Sequence, residues 1–433
     1  MSKEVFPERQ RPEQRNSSAA RIVPFALLTV VALVMTVLLF SFVLQGGGQP
    51  AVSDGTALAA STEQPPATVT PTQAPTEAPT EPPLSPLEQK VRATLDAMTL
   101  EEKLCQLFMV TPETLSGETG VLEADEALLT ALKSYPVGGV ILFGDNIYYE
   151  EQVANLIDAM QGASSVPLLI GVDEEGGIVS RLSGAGITRY YDSMAVYGAE
   201  GAVDRVGEIG GEIAADITEV GFNVDFAPVA DIVTNPNNTE IGIRSFSSDP
   251  AVTSTMVRAM VKGLQDGGCI SCLKHFPGMG STETDSHYGT SVSPRTLNEL
   301  RKSELLPFAE GIDAGAQMVM VSHMSLPNVL GDDTPCDLAP EIVTELLRDE
   351  LGFRGVVITD SHEMASVTER YGVGEAALLA IQAGCDLVLM PADLAQAVAA
   401  LKTAVQQGTL TEERIDESVT RILTLKYRSG ILS

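Results

Sequence analysis

The 433-residue chain contains no tryptophan, only four histidines and five cysteines, and far fewer basic side chains (27 Lys and Arg) than acidic ones (58 Asp and Glu). Each shortage excludes something. A formal net charge of −31 repels phosphate backbones, so nucleic acid is not an expected partner. Without tryptophan the chain lacks the indole platform on which carbohydrate-binding modules often stack sugars. The five cysteines are too few and too scattered to staple a disulfide scaffold. Cys269 and Cys272 fall in an apolar run that reads as a strand, where residues three apart point to opposite faces, so buried free thiols are expected. No HExxH and no close histidine pair exists, so neither a metal nor a cofactor is expected. What remains, 44% hydrophobic and 20% charged, is ordinary globular composition.

Charge is missing altogether from Ile22 to Leu44. At ~1.5 Å per residue that segment reaches roughly 34 Å, enough for a bilayer core. Arginines precede it and none follow closely, which predicts a cytoplasmic tail (1–21), a single-pass membrane anchor (22–44) and the rest outside the cytoplasm. A cleaved signal peptide is the rival reading, but the apolar run is long for one. Aromatics are absent from 45–86, where Pro, Thr, Ala, Ser and Gly dominate, so this stretch is predicted to be a disordered linker.

The folded part is therefore expected at 87–433. Eight apolar runs read as strands: Gln106–Val110, Gly139–Phe143, Leu168–Asp173, Asn223–Ala227, Cys269–Lys274, Met318–Ser322, Val356–Asp360 and Leu387–Met390. Amphipathic segments separate most of them. Thr411–Tyr427 shows the pattern, with a capping Thr411, acidic Glu412 and Glu413, and Ile415, Val419, Ile422 and Leu423 on one face. This is the arithmetic of an α/β (β/α)8 TIM-type barrel. A doubly wound open sheet would normally carry a glycine-rich turn after its first strand, and Val110-Thr111-Pro112 is not one.

Barrel sites lie at the C-terminal ends of strands, and the polar residues gather there. Asp173-Glu174-Glu175-Gly176-Gly177, Lys274-His275, Ser322-His323 and Asp360-Ser361-His362 each close a strand. The loop after the fifth strand is rich in Gly, Ser and Thr and carries Asp285-Ser286-His287. A carboxylate beside an imidazole holds one tautomer and raises its pKa toward the working range of a general acid/base.

The string from Lys274 to His287, KHFPGMGSTETDSH, resembles the KHFPGHGxTxxDSH signature of glycoside hydrolase family 3, in its β-N-acetylglucosaminidase branch. Asp173-x-Glu175-Gly176-Gly177, Asn223 through Asp231, Ile241 through Phe246 and Val357-Ile358-Thr359-Asp360 match the family in order. The resemblance implies a retaining exo-β-N-acetylglucosaminidase acting on peptidoglycan fragments or other β-glycans. It makes Asp360 the nucleophile and His287 the acid/base, oriented by Asp285. It makes Asp173, Arg181, Arg244, Lys274 and His275 the contacts to the terminal sugar. Met279, Ser281, Ile178 and Ser247 depart from the family's usual residues and remove none of these groups. A β-glucosidase or phosphorylase of the same family is the next reading, and a non-catalytic wall-binding barrel the third. Retention of Asp360, Asp285 and His287 argues against the last.

Overall fold

The computed structural model describes residues 84–283, 286 and 289–433. The expected anchor and nearly all of the linker lie outside the described residues, as do Asp285 and His287. Among the described residues no helix is long and apolar enough to cross a membrane.

Eight parallel strands close into a barrel. They are β1 (Phe108–Val110), β2 (Gly139–Ile141), β3 (Leu169–Val172), β6 (Val224–Asp225), β7 (Ile270–Phe276), β8 (Met318–Val321), β9 (Val356–Ser361) and β10 (Leu387–Leu389). β4 (Glu174–Gly176) and β5 (Val179–Ser180) form a separate antiparallel hairpin just beyond β3. Closure is made by β1, which pairs with β2 through Met109↔Gly139 and with β10 through Met109↔Leu389. The interior is filled, not hollow: a Cβ on Gly171 would lie 2.6 Å from Met109 Cε and 2.7 Å from Phe226 Cε2. The bare backbone of β3 thus makes room for two large neighbours.

All eight expected strands exist, with shifted ends. Gln106 closes a helix, Leu100–Gln106, instead of opening β1. That helix starts from a capping box, in which Thr99 Oγ1 accepts the Glu102 N–H and the Glu102 carboxylate accepts the Thr99 N–H. β7 runs on through His275 to Phe276. The C-terminal helix, Glu412–Arg428, is capped by Thr411 and buries Ile415, Val419, Ile422 and Leu423, as its periodicity predicts. All five cysteines are free and buried.

The C-terminal helix crosses the N-terminal ends of the strands. Asp386, immediately before β10, accepts from Ser418 Oγ at 2.7 Å and from Arg421 Nη1 at 2.9 Å. Its other oxygen takes Arg348 Nη2 at 2.6 Å and the Val357 N–H at 3.0 Å. Lys426, fully buried, reaches Gln106 Oε1 at 2.9 Å. The first described helix, Pro86–Ala97, packs on this one, with Thr94 Oγ1 2.7 Å from the Tyr427 hydroxyl.

Candidate active site

At the opposite pole the strand ends surround a cleft of about 570 Å³. Asp173, Glu175, Arg181, Arg244, Lys274, His275 and Asp360 all line it, so the structure brings every described residue of the expected site to one place. Asp173 follows β3, Glu175 and Arg181 belong to the hairpin and the helical turn after it, Lys274 and His275 ride on β7, and Asp360 on β9.

Two of the carboxylates in the cleft are paired with its three cations. Lys274 Nζ, buried at the centre, lies 2.6 Å from both Asp173 Oδ1 and Glu175 Oε1. Arg244 grips Glu175 with two prongs, Nη2 to Oε1 at 2.7 Å and Nε to Oε2 at 2.9 Å. Arg181 Nη2 reaches Asp173 Oδ2 at 3.3 Å. Burial raises the pKa of both carboxyls, but Arg244 and Lys274 at Glu175, and Lys274 and Arg181 at Asp173, outweigh it and hold both below the usual range. Burial works against the Lys274 ammonium as well, and Asp173 and Glu175 again prevail, raising it. The result is a wall of fixed acceptors and fixed donors, the equipment needed to bind a polyol.

Glu175 was not singled out by sequence reasoning, although the motif contains it. Its neighbour Glu174 shows why identity alone could not decide. Glu174 turns away and caps the next turn, accepting from the Leu182 and Ser183 N–H groups at 2.9 and 3.0 Å. The available signal was the Gly176-Gly177 pair. Both have positive φ, 88° and 63°, and they fold the hairpin that turns Glu175 toward the cleft.

Asp231 was also missed as a positioning group. Its Oδ2 accepts from the His275 backbone N–H at 3.0 Å and lies 2.7 Å from His275 Nδ1. A carboxylate only accepts, so Nδ1 carries the proton and Nε2 is left toward the cleft, 3.5 Å from Arg244 Nη2. The other Asp231 oxygen accepts the Met279 N–H at 2.6 Å, where the loop after β7 begins.

That loop is held by a second one. Asn238 Nδ2 donates to Met279 O at 2.9 Å and to Thr282 O at 3.1 Å, and the Thr234 and Asn235 N–H groups both donate to Gly280 O at 3.0 Å. Further on, Ser286 donates its N–H (3.1 Å) and its hydroxyl to Glu240, itself a lining residue of the cleft. Ser286 lies between Asp285 and His287 in sequence.

Asp360 accepts the N–H of its own neighbour Ser361 at 2.8 Å and, among the described residues, forms no ion pair. On the neighbouring strand end Met390 closes the wall with φ 48°, among the described residues the one non-glycine residue in that region. A larger cavity of about 680 Å³ opens alongside and shares Phe143, Glu363 and Met390 with the cleft. Two of its carboxylates are committed to structure: Glu113 holds the Val121 N–H and Asn146 Nδ2, and Asp393 caps a helix through the Gln396 N–H.

The family model for the glycosyl hydrolase family 3 N-terminal domain matches residues 99–425. The chain is 33% identical over 368 residues to beta-hexosaminidase A of Pseudoalteromonas piscicida, covering 76% of this chain and 61% of that protein. It is 34% identical over 339 residues to beta-hexosaminidase LpqI of Mycobacterium tuberculosis, covering 75% of this chain and 82% of that one. A solved family 3 beta-N-acetylglucosaminidase from Paenibacillus superposes with a TM-score of 0.73 at 38% identity, covering 77% of this chain and 63% of that one. The chain thus spans under two thirds of the length of two of these relatives.

Proposed function

Because the chain belongs to glycoside hydrolase family 3, we propose that it is a retaining exo-β-N-acetylglucosaminidase that removes terminal N-acetylglucosamine from peptidoglycan fragments or other β-linked glycans. The observation that carries this reading is Asp360, a carboxylate on a strand end, facing a cleft whose other strand-end charges are tied to one another. Asp173, Arg181, Arg244, Lys274 and His275 present hydrogen-bonding groups to the hydroxyls of one sugar. Asp360 attacks the anomeric carbon, and the bond from that carbon to the leaving oxygen breaks as the carboxylate bond forms. His287, oriented by Asp285, gives its proton to the departing oxygen. It then takes one from the water that releases the sugar. An imidazole thereby does the work of one of the usual two carboxylates. The uncharged segment 22–44 and the proline-rich 45–86 support a membrane-anchored enzyme with its barrel outside the cytoplasm.

An activated fluoro-N-acetylglucosaminide tests the mechanism, because fluorine slows both steps and the good leaving group favours the first. A covalent adduct on Asp360 is expected, with retention at the anomeric carbon on turnover of aryl glycosides. Labelling of another carboxylate, or inversion, would reject the assignment.

A further inference from the structure

Behind the wall of the cleft lie three side chains that the proposed reaction does not use. Asp337 stands on the short turn Cys336–Leu338, with His323 two residues beyond β8 and His362 one residue beyond β9. All three are buried, at 0%, 1% and 3% exposure. The Asp337 carboxylate sits between the rings, Oδ1 3.0 Å from His323 Nδ1 and Oδ2 3.0 Å from His362 Nε2. The rings meet edge to face, with centroids 5.4 Å apart. His323 Nε2 donates to the Ser361 carbonyl at 2.8 Å. That carbonyl also takes the Met364 N–H at 3.2 Å, and the Ser361 N–H holds Asp360 Oδ1. A line of contacts therefore runs from a buried carboxylate to the carboxylate that faces the cleft.

Geometry and electrostatics together favour one charge state for this line. With Nε2–H given to Ser361, a neutral His323 would set a bare Nδ1 lone pair against a carboxylate oxygen 3.0 Å away. Two acceptors at that distance repel, and a positive charge on the ring turns the repulsion into attraction. Its N–H is not aimed along the Oδ1 lone pair, which makes the attraction an ion pair more than a directed hydrogen bond. Burial opposes the charge on His323, but Asp337, with Asp360 beyond it, lifts the imidazole to about 9. Burial likewise opposes the charge on Asp337, yet His323 and His362 hold that carboxyl down at about 2. His362, lowered by burial, stays neutral and donates Nε2–H. The nearby Cys336 and Cys385 thiols are pushed up by burial and carry no charge.

We propose that Asp337 and His323 are positioning residues for glycosyl transfer: the carboxylate pins the imidazole, and the imidazole pins the Ser361 carbonyl and so the turn from which Asp360 reaches the sugar. This rests on Asp360 being the nucleophile. The effect belongs to the chemical step and leaves sugar binding alone, because among the described residues no hydrogen bond or ion pair joins these three side chains to Asp173, Glu175, Lys274 or Arg244.

Asp337→Asn keeps the shape of the side chain and removes its charge. In the full chain this variant should lose roughly 10–100-fold in kcat with KM nearly unchanged, as expected when a reacting group is slightly misplaced. Its residual activity should rise as pH falls below about 6.5, because without the Asp337 charge burial holds the His323 imidazole below its free value, a limb that the parent enzyme lacks. Imidazole NMR of the parent protein, which has only four histidines, should show His323 charged up to about pH 9. Titration of His323 near 6.5 in the parent would overturn the proposal whether or not the variant folds. So would an unchanged kcat, or a stoichiometric metal ion in the purified protein whose removal abolishes turnover. Fluoro-sugar labelling separates the two readings. No adduct on Asp360 in the parent defeats the nucleophile assignment, whereas equal labelling rates in parent and variant defeat only the positioning role.

Discussion

At Glu175 an enclosed carboxylate answers two cations at once, and its removal tests how the wall of the cleft is built. Glu175→Gln would leave Lys274 and Arg244 with Asp173 as their nearest counter-charge. Breaking a buried ionic group in this way costs roughly 3–5 kcal/mol. The expected result is a fall in unfolding free energy of that order, read by denaturant titration, together with at least a tenfold rise in KM. The same carboxyl sets an acid limit. Its pKa is held below 4.5 in the folded state, so under acid conditions the unfolded chain binds a proton that the folded chain refuses. The stability it contributes is complete above about pH 4.5 and drains away as pH falls toward its folded value. Lys426 has the opposite problem. Burial lowers its pKa from 10.5 to about 7, so between those values the unfolded chain holds more protons and stability rises with pH. A shift of that size corresponds to roughly 4–5 kcal/mol of cost at low pH, from which the unpaired Gln106 oxygen of a Lys426→Met variant takes back about 1–3. Lys426→Met should therefore be about 2 kcal/mol more stable at pH 7 and should flatten the rise between pH 7 and 10.

At the scale of elements, the decisive joint is the loop after β7. A Cβ on Gly280 would come 1.9 Å from the Ile232 carbonyl oxygen, a contact with rigid backbone. Gly280→Ala should push the two loops apart and cost on the order of 10²-fold in kcat. The thermal midpoint should fall by only a few degrees, because the barrel core is untouched; equal loss of both would place Gly280 in the folding core. Most of the strands were legible because they are continuous apolar runs, which is how a strand buried on both faces must read. Their ends were less so. The capping box at Thr99 claimed Gln106 for a helix, and β6 is only two residues long, ending before Ala227-Pro228, where proline offers no N–H for a ladder. The site was legible where a residue sits on a strand, as Lys274, His275 and Asp360 do. Where a turn supplies the residue the local pattern did not mark it: Arg181 and Arg244 came only with the family resemblance, and others were missed. Glu175 depends on a glycine hairpin, Asp231 on a loop, and Asp337 on a three-residue turn far from its histidines in sequence. Such partners are set by closure of the barrel, which no local pattern records.

Over the whole molecule the two ends of the barrel do different work. One end carries the cleft, and the other is tied down by Asp386, Lys426 and the C-terminal helix. On the proposed topology, protease added to intact cells should cut within 45–86 and release a soluble, active barrel. Protection of the whole chain would count against it. The helix Pro86–Ala97, where the described chain begins, lies against the C-terminal helix at the tied end, the pole farthest from Asp360. Any tether arriving at Leu84 therefore pulls on the base of the barrel while the mouth looks away from the point of attachment. A pull on the chain at Leu84 would enter through Thr94 and Tyr427 and meet Asp386 and the roots of β9 and β10 before anything at the rim, so force applied there would be spent at the base of the barrel and leave Asp360 in place.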